Sequence, residues 1–146
     1  MTLTGAVARY HDAWNDHDAA ACAGCFTPDG VRTWFVRPPG SAPGDPFPTF
    51  TGRPAIAEGI ADFLQGVPDL VLEVDALSEG SDERVWTEWR VTGTLGAAWS
   101  DPAARGRTLD LVGVSVFRVA PGGLAEERVY WDSVLLTPGS ERAFTA

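Results

Sequence analysis

Thr108-Leu109-Asp110-Leu111-Val112-Gly113-Val114-Ser115-Val116-Phe117-Arg118-Val119 is the stretch on which the fold turns. By the period-two alternation of a strand, Leu111, Gly113, Ser115 and Phe117 share one face, and Val112, Val114 and Val116 share the other. Apolar residues on both sides predict a strand that is covered on both. Helices and a pocket can cover one face. A second copy of the chain is the simplest cover for the other, which predicts a homodimer through the sheet face. Neighbouring stretches extend the β pattern, with strands predicted over 70–77, 84–95 and 125–136. Ser78-Glu79-Gly80-Ser81-Asp82 and Ala120-Pro121-Gly122-Gly123 read as hairpin-type turns, and 96–107 as a longer connection.

The first half of the chain reads differently. Leu3, Val7, Tyr10 and Trp14 fall on one stripe of a helix over 2–15. Asn15-Asp16-His17-Asp18 ends it, and an aspartate there can cap a short helix over about 18–26. Thr27-Pro28-Asp29-Gly30 is expected to be a turn before a strand over 31–36. Residues 37–49 hold five of the 11 prolines and two glycines, so they form a loop. It is either a variable surface loop or a lid with Phe47 and Phe50 on its underside. Pro54 opens a third helix carrying Ile56, Ile60, Phe63 and Leu64. Helices first and hairpin-linked strands after indicate one α+β domain, 1–146, with a curved, mostly antiparallel sheet wrapped on about three N-terminal helices.

Composition narrows the function classes. At 146 residues the chain is long enough to bury a core without metal or disulfide staples. The net charge is −9 and no basic run exists, which argues against nucleic acid and anionic membrane as partners. No apolar run has membrane-spanning length, and the N-terminus lacks a signal-peptide layout, so a cytoplasmic location is expected. Every basic residue is arginine, which excludes lysine Schiff-base chemistry. Cys22 and Cys25 have no second ligand pair for zinc, and read as core thiols. His11 and His17 flank the first helical stripe, fit no zinc pattern, and are expected in surface or capping roles.

Several motifs, taken in order, resemble one family. Ala8-Arg9-Tyr10-His11-Asp12-Ala13-Trp14-Asn15-Asp16-His17-Asp18 and Phe26-Thr27-Pro28-Asp29-Gly30 resemble the start of nuclear-transport-factor-2-like proteins. Thr51-Gly52-Arg53-Pro54-Ala55-Ile56 and Pro68-Asp69-Leu70 look like the centre of the SnoaL-like polyketide cyclase branch. Val91-Thr92-Gly93-Thr94, Gly106-Arg107 and Glu127-Arg128-Val129-Tyr130-Trp131-Asp132 continue the likeness. The resemblance implies a cone-shaped fold, a pocket between sheet and helices, and no metal or organic cofactor. It also implies ring closure by an acid/base residue in the last strand, where Asp132 stands. Leu95 occupies the place of a histidine common in that branch. Limonene-type epoxide hydrolases, a related group, use an Asp–Arg–Asp set. Arg90 and Asp132 match two of its members, and Thr92 stands at the third.

The residues themselves also single out Asp132. A carboxylate within Val129-Tyr130-Trp131-Asp132-Ser133-Val134-Leu135-Leu136 is costly to bury unless paired or protonated, and desolvation raises its pKa toward a range useful for proton transfer. The alternative is a strand-edge aspartate with a structural hydrogen bond. Trp86, Glu88, Arg90 and Thr92 share one strand face. If that face lines the pocket, Arg90 orients Asp132 or stabilises an enolate or alkoxide, and Glu88 pairs with it. If not, Glu88 and Arg90 form a solvated ladder. Tyr10, Trp14, Trp34 and Trp86, with Phe50, Leu111 and Tyr130, are the expected pocket wall, suited to a small apolar or aromatic substrate. The resulting expectation is a cofactor-independent cyclase or isomerase of polyketide-type secondary metabolism. Its alternatives are an epoxide hydrolase or epoxide-opening cyclase using Asp132 and Arg90, and a non-catalytic binding or assembly module.

Overall fold

The computed structural model describes residues 2–37 and 40–131. Helix α1 (Leu3–Asn15) begins at Thr2, whose hydroxyl accepts a hydrogen bond from the Gly5 N–H at 3.0 Å. Helix α2 (Ala19–Gly24) is capped in the same way by Asp18, which accepts from the Ala21 N–H at 2.9 Å. Strand β1 (Phe26–Trp34) and the short β2 (Thr49–Thr51) follow, then α3 (Arg53–Gly66) with Pro54 in its first turn. Four long strands complete the described chain: β3 (Val71–Glu79), β4 (Arg84–Thr94), β5 (Thr108–Ala120) and β6 (Gly123–Trp131).

The six strands form one sheet in the order β2-β1-β6-β5-β4-β3. All neighbours are antiparallel except β1 and β6, which run parallel. The fold is therefore α+β, one mostly antiparallel sheet with three helices on its inner face. Helices pack on the inner face of the sheet, where Val7, Tyr10, Phe26, Ile56, Ile60, Leu111 and Phe117 are buried together.

One detail departs from expectation. Thr27-Pro28-Asp29-Gly30 does not reverse the chain. It lies within β1 as an irregularity between Phe26 and Val31, so turn-type residues serve to kink a strand. A side chain at Gly30 would stand 2.9 Å from Phe26, which is why the smallest residue sits there. On the outer face of β5, Val116 is buried and its two apolar neighbours are exposed in the single chain. Val112 is 54 % exposed and Val114 36 %, while Leu111, Ser115 and Phe117 on the inner face are buried.

Candidate functional site

Period-two alternation on four strands and helical spacing on α1 bring the polar groups of the interior to one place. Glu127, Val129 and Trp131 face inward from β6, Arg32 and Trp34 from β1, Trp89 and Val91 from β4, and Ser115 from β5. Tyr10, His11 and Trp14 close over them from α1, with Phe63 of α3 and Leu72 of β3. At the centre is the Glu127 carboxylate. Its Oε1 accepts from the Tyr10 hydroxyl at 2.6 Å and from the Arg32 Nε–H at 2.7 Å. Its Oε2 accepts from the Ser115 hydroxyl at 2.8 Å, and Ser115 in turn accepts from the Trp89 indole N–H at 3.0 Å. Donors on both oxygens are the arrangement an ionised carboxylate takes.

Gly113 makes part of this geometry possible. It neighbours Trp89 across the β4–β5 pair, and a Cβ there would stand 2.4 Å from the indole. The bare glycine lets the ring lie over the sheet and point its N–H at Ser115. The Arg32 guanidinium is held by rings as well, with its Cζ 5.4 Å from the centre of the Trp14 ring and 5.6 Å from that of Trp34.

The electrostatics follow from burial. Burial raises the Tyr10 pKa well above its ordinary value; Arg32 opposes the rise and Glu127 adds to it. Burial lowers the His11 pKa, against the pull of Glu127 and Asp12. Both groups are therefore uncharged near neutral pH. Burial pulls the Arg32 pKa down, but Tyr10 and Glu127 outweigh it and the guanidinium stays charged. Arg32 and Glu127 form a buried ion pair, with side-chain exposures of 7 % and 4 %.

The rest of the lining is aromatic and aliphatic. About 40 Å3 of the pocket can hold the centre of a water-sized sphere. With the radius of a water added around that space, there is room for roughly a six-membered ring. A ligand enclosed here is small, or only the reacting end of a larger one is enclosed. Among the described residues, no three His, Cys, Asp or Glu side chains come together as a metal-binding group. Cys22 is buried and its thiol is pushed up to about 12, chiefly by burial, while Cys25 is partly exposed with its Sγ donating to the Ala21 carbonyl.

The sequence candidates divide sharply. Tyr10, Trp14 and Trp34 line the pocket. Asp132 lies outside the described residues. Arg90 lies on the opposite face of the sheet, bound through two nitrogens to Asp110 at 2.8 and 2.7 Å, with half its side chain exposed. Glu88 and Trp86 share that outer face, and Trp86 is 44 % exposed. The pocket role expected of these three is thus corrected: Val85, Thr87, Trp89 and Val91 are the inward set, because they carry the apolar bulk the core requires. Leu111 is fully buried but packs in the core rather than on the pocket. Phe50 meets Trp34 and α3 at Gly59, and Tyr130 stacks on Phe35 with 38 % of its surface exposed. Within the 37–49 loop, Phe47 packs on Phe35 and lies under Arg37, so it belongs to that outer cluster and not to a pocket cover.

The polar centre of the pocket and most of its wall are not among the residues the sequence singled out. Glu127, Arg32 and Ser115 make the polar centre, and His11, expected on the surface, is buried in the wall. The signal for Glu127 was available in its alternation with Val129 and Trp131, and the signal for Arg32 in its alternation with Trp34.

The SnoaL-like domain family matches residues 7–127, and the chain belongs to that family. No curated protein gives a significant match. Solved structures similar to the chain include a candidate SnoaL-like polyketide cyclase from Jannaschia sp. CCS1, with a TM-score of 0.75 at 18 % identity over 92 % of this chain and 88 % of that one. An epoxide hydrolase/cyclase-like enzyme with a role in pyran ring formation in the polyether salinomycin has a TM-score of 0.68 at 23 % identity, over 89 % and 90 % of the two chains. A nuclear-transport-factor-2-like protein of unknown function from Burkholderia pseudomallei K96243 has a TM-score of 0.72 at 20 % identity, over 93 % and 95 %. At these identities the likeness is one of fold.

Proposed function

We propose that this SnoaL-like domain is a cofactor-independent acid/base enzyme, a cyclase or isomerase of polyketide-type secondary metabolism acting on a small, mainly apolar molecule. The observation that carries the reading is the buried Arg32–Glu127 pair, with Tyr10 and Ser115, at the centre of an aromatic pocket. Well-packed apolar residues of similar volume would serve stability as well or better than a buried ion pair. Charged groups kept in a concave apolar site mark it as a place for chemistry. Glu127 is engaged by three donors, which suits it to hold Tyr10 and Arg32 in place. Asp132 remains the proposed proton-transferring group, on the sequence resemblance. The epoxide-opening variant of the reading passes from Arg90 to Arg32, the arginine among the pocket residues.

The test is turnover. Wild type, Asp132→Asn and Tyr10→Phe are assayed on poly-β-ketone esters and hydroxy-epoxides, with ring formation followed by mass spectrometry and NMR. Loss of turnover with retained binding in Asp132→Asn supports the acid/base role, and the active panel members separate carbon–carbon from carbon–oxygen closure. Binding without turnover across a broad panel supports a non-catalytic module and overturns the enzyme reading. We also propose a cytoplasmic homodimer. Its support is the outer sheet face, where Trp86, Val112, Val114 and Tyr130 are exposed on β4, β5 and β6, with Val114 opposite Tyr130 in the ladder.

A further inference from the structure

Three buried side-chain polar atoms among the described residues have no hydrogen-bond partner: Arg32 Nη1, Thr87 Oγ1 and Trp131 Nε1. Two of the three belong to pocket residues, and both of those are donors with no capacity to accept. Both side chains stand beside Trp34. The Trp34 ring stands 5.6 Å from the Arg32 Cζ and 5.5 Å from the centre of the Trp131 ring. A native fold leaves few buried polar groups unpaired, and each costs about 1–3 kcal/mol. Two unpaired donors beside one ring of one pocket are explained by an acceptor that arrives with the ligand.

Charge decides which acceptor. Among the described residues, Arg32 is the only cation lining the pocket, and Glu127 already matches it at 2.7 Å. The other titratable groups lining the pocket, Tyr10 and His11 of α1, are uncharged near neutral pH. Asp12, whose charge acts on His11, adds negative charge. A ligand carboxylate or phosphate would therefore meet Glu127 with no unmatched cation to offset it. A neutral carbonyl oxygen takes both donors without that repulsion, and the same donors strengthen as charge builds on that oxygen.

We propose that Arg32 Nη1 and Trp131 Nε1 form a two-donor subsite for one carbonyl oxygen, so that the pocket takes neutral ketones or esters in preference to carboxylates of the same skeleton. The inference rests on the reading of this pocket as the ligand site, and it names the class of ligand.

The experiment uses three six-ring probes sized to the cavity: cyclohexanone, cyclohexanecarboxylate and methylenecyclohexane. Binding is followed by calorimetry on wild type, Trp131→Phe and Arg32→Met. The C=O stretch of 13C-labelled cyclohexanone is recorded in each complex. The ketone is expected to bind more tightly than the other two, with its stretch shifted to lower frequency than in water. Trp131→Phe is expected to weaken the ketone about 5- to 10-fold, as for one hydrogen bond. It should reverse part of the frequency shift and leave methylenecyclohexane unchanged. Arg32→Met removes half of the buried pair, so Trp131→Phe carries the decision if that variant does not fold. Tighter binding of the carboxylate, equal binding of ketone and hydrocarbon, no binding of any probe, or no response to Trp131→Phe overturns the proposal. The outcome is separable from turnover. Ketone binding with the spectral shift but no catalysis keeps the subsite and removes the enzyme reading. Turnover on the wider panel that ignores Trp131→Phe does the reverse.

Discussion

Replacing Glu127 with glutamine removes the one negative charge that matches Arg32. The guanidinium then stays buried, flanked by Trp14 and Trp34, with no ion partner. Breaking a buried pair from one side costs about 3–5 kcal/mol, because an uncompensated charge remains in the interior. For a chain of this length that corresponds to a fall in melting temperature of roughly 10 to 15 °C. Arg32→Met leaves the opposite charge unpaired, although Tyr10 and Ser115 still donate to it, so its loss should be the smaller of the two. In the double variant no charge remains, and the introduced amide still accepts from Tyr10. The double variant should therefore be more stable than the sum of the two losses predicts, with a coupling of at least ~2 kcal/mol. Urea unfolding followed by far-UV circular dichroism is the assay, since Trp14 and Trp34 touch Arg32 and their fluorescence changes without unfolding. Strictly additive losses, or a cost for Glu127→Gln below about 1 kcal/mol, would refute the claim that the pair is desolvated and mutually dependent.

Three further outcomes follow from the same geometry. Burial lowers the His11 pKa from 6.5, so the unfolded chain takes up its proton first as pH falls; stability is lost as pH drops from about 6.5 through the folded value. His11→Gln should flatten that part of the pH–stability curve, and an unchanged slope would assign it to other groups. Gly113→Ala pushes a Cβ into the Trp89 ring and breaks its bond to Ser115. It is expected to cost about 1–3 kcal/mol in urea unfolding and to change the near-UV circular dichroism of the tryptophans. Val112→Glu places a charge on the exposed outer face of β5, and light scattering should report a monomer with unchanged far-UV dichroism where wild type is a dimer. A monomeric wild type would remove the proposed interface.

The sheet was legible because its strands obey a period of two, which needs only local sequence to be seen. Which face turns inward is a different kind of fact. On β4 the alternation separates Trp86, Glu88 and Arg90 from Val85, Thr87, Trp89 and Val91, and each set contains a tryptophan beside residues that can be rationalised in a pocket. The choice is made by bulk apolar burial, and the face with Val85, Trp89 and Val91 wins. Arg90 then meets Asp110 across the β4–β5 ladder on the outside, a pairing fixed by the register Thr92↔Asp110 and Arg90↔Val112. The same blindness hid the polar centre. Glu127 and Arg32 are 95 positions apart in sequence, and nothing local ties them together. They meet because β6 returns to pair in parallel with β1, setting Arg32 beside Glu127 in the ladder. Ser115 joins through the antiparallel β5–β6 register, opposite Val129. A site assembled by strand pairing thus becomes visible only once pairing is known. A charged residue spaced two from a buried Val or Trp is the trace it leaves in sequence, and Glu127-Arg128-Val129-Tyr130-Trp131 carries that trace.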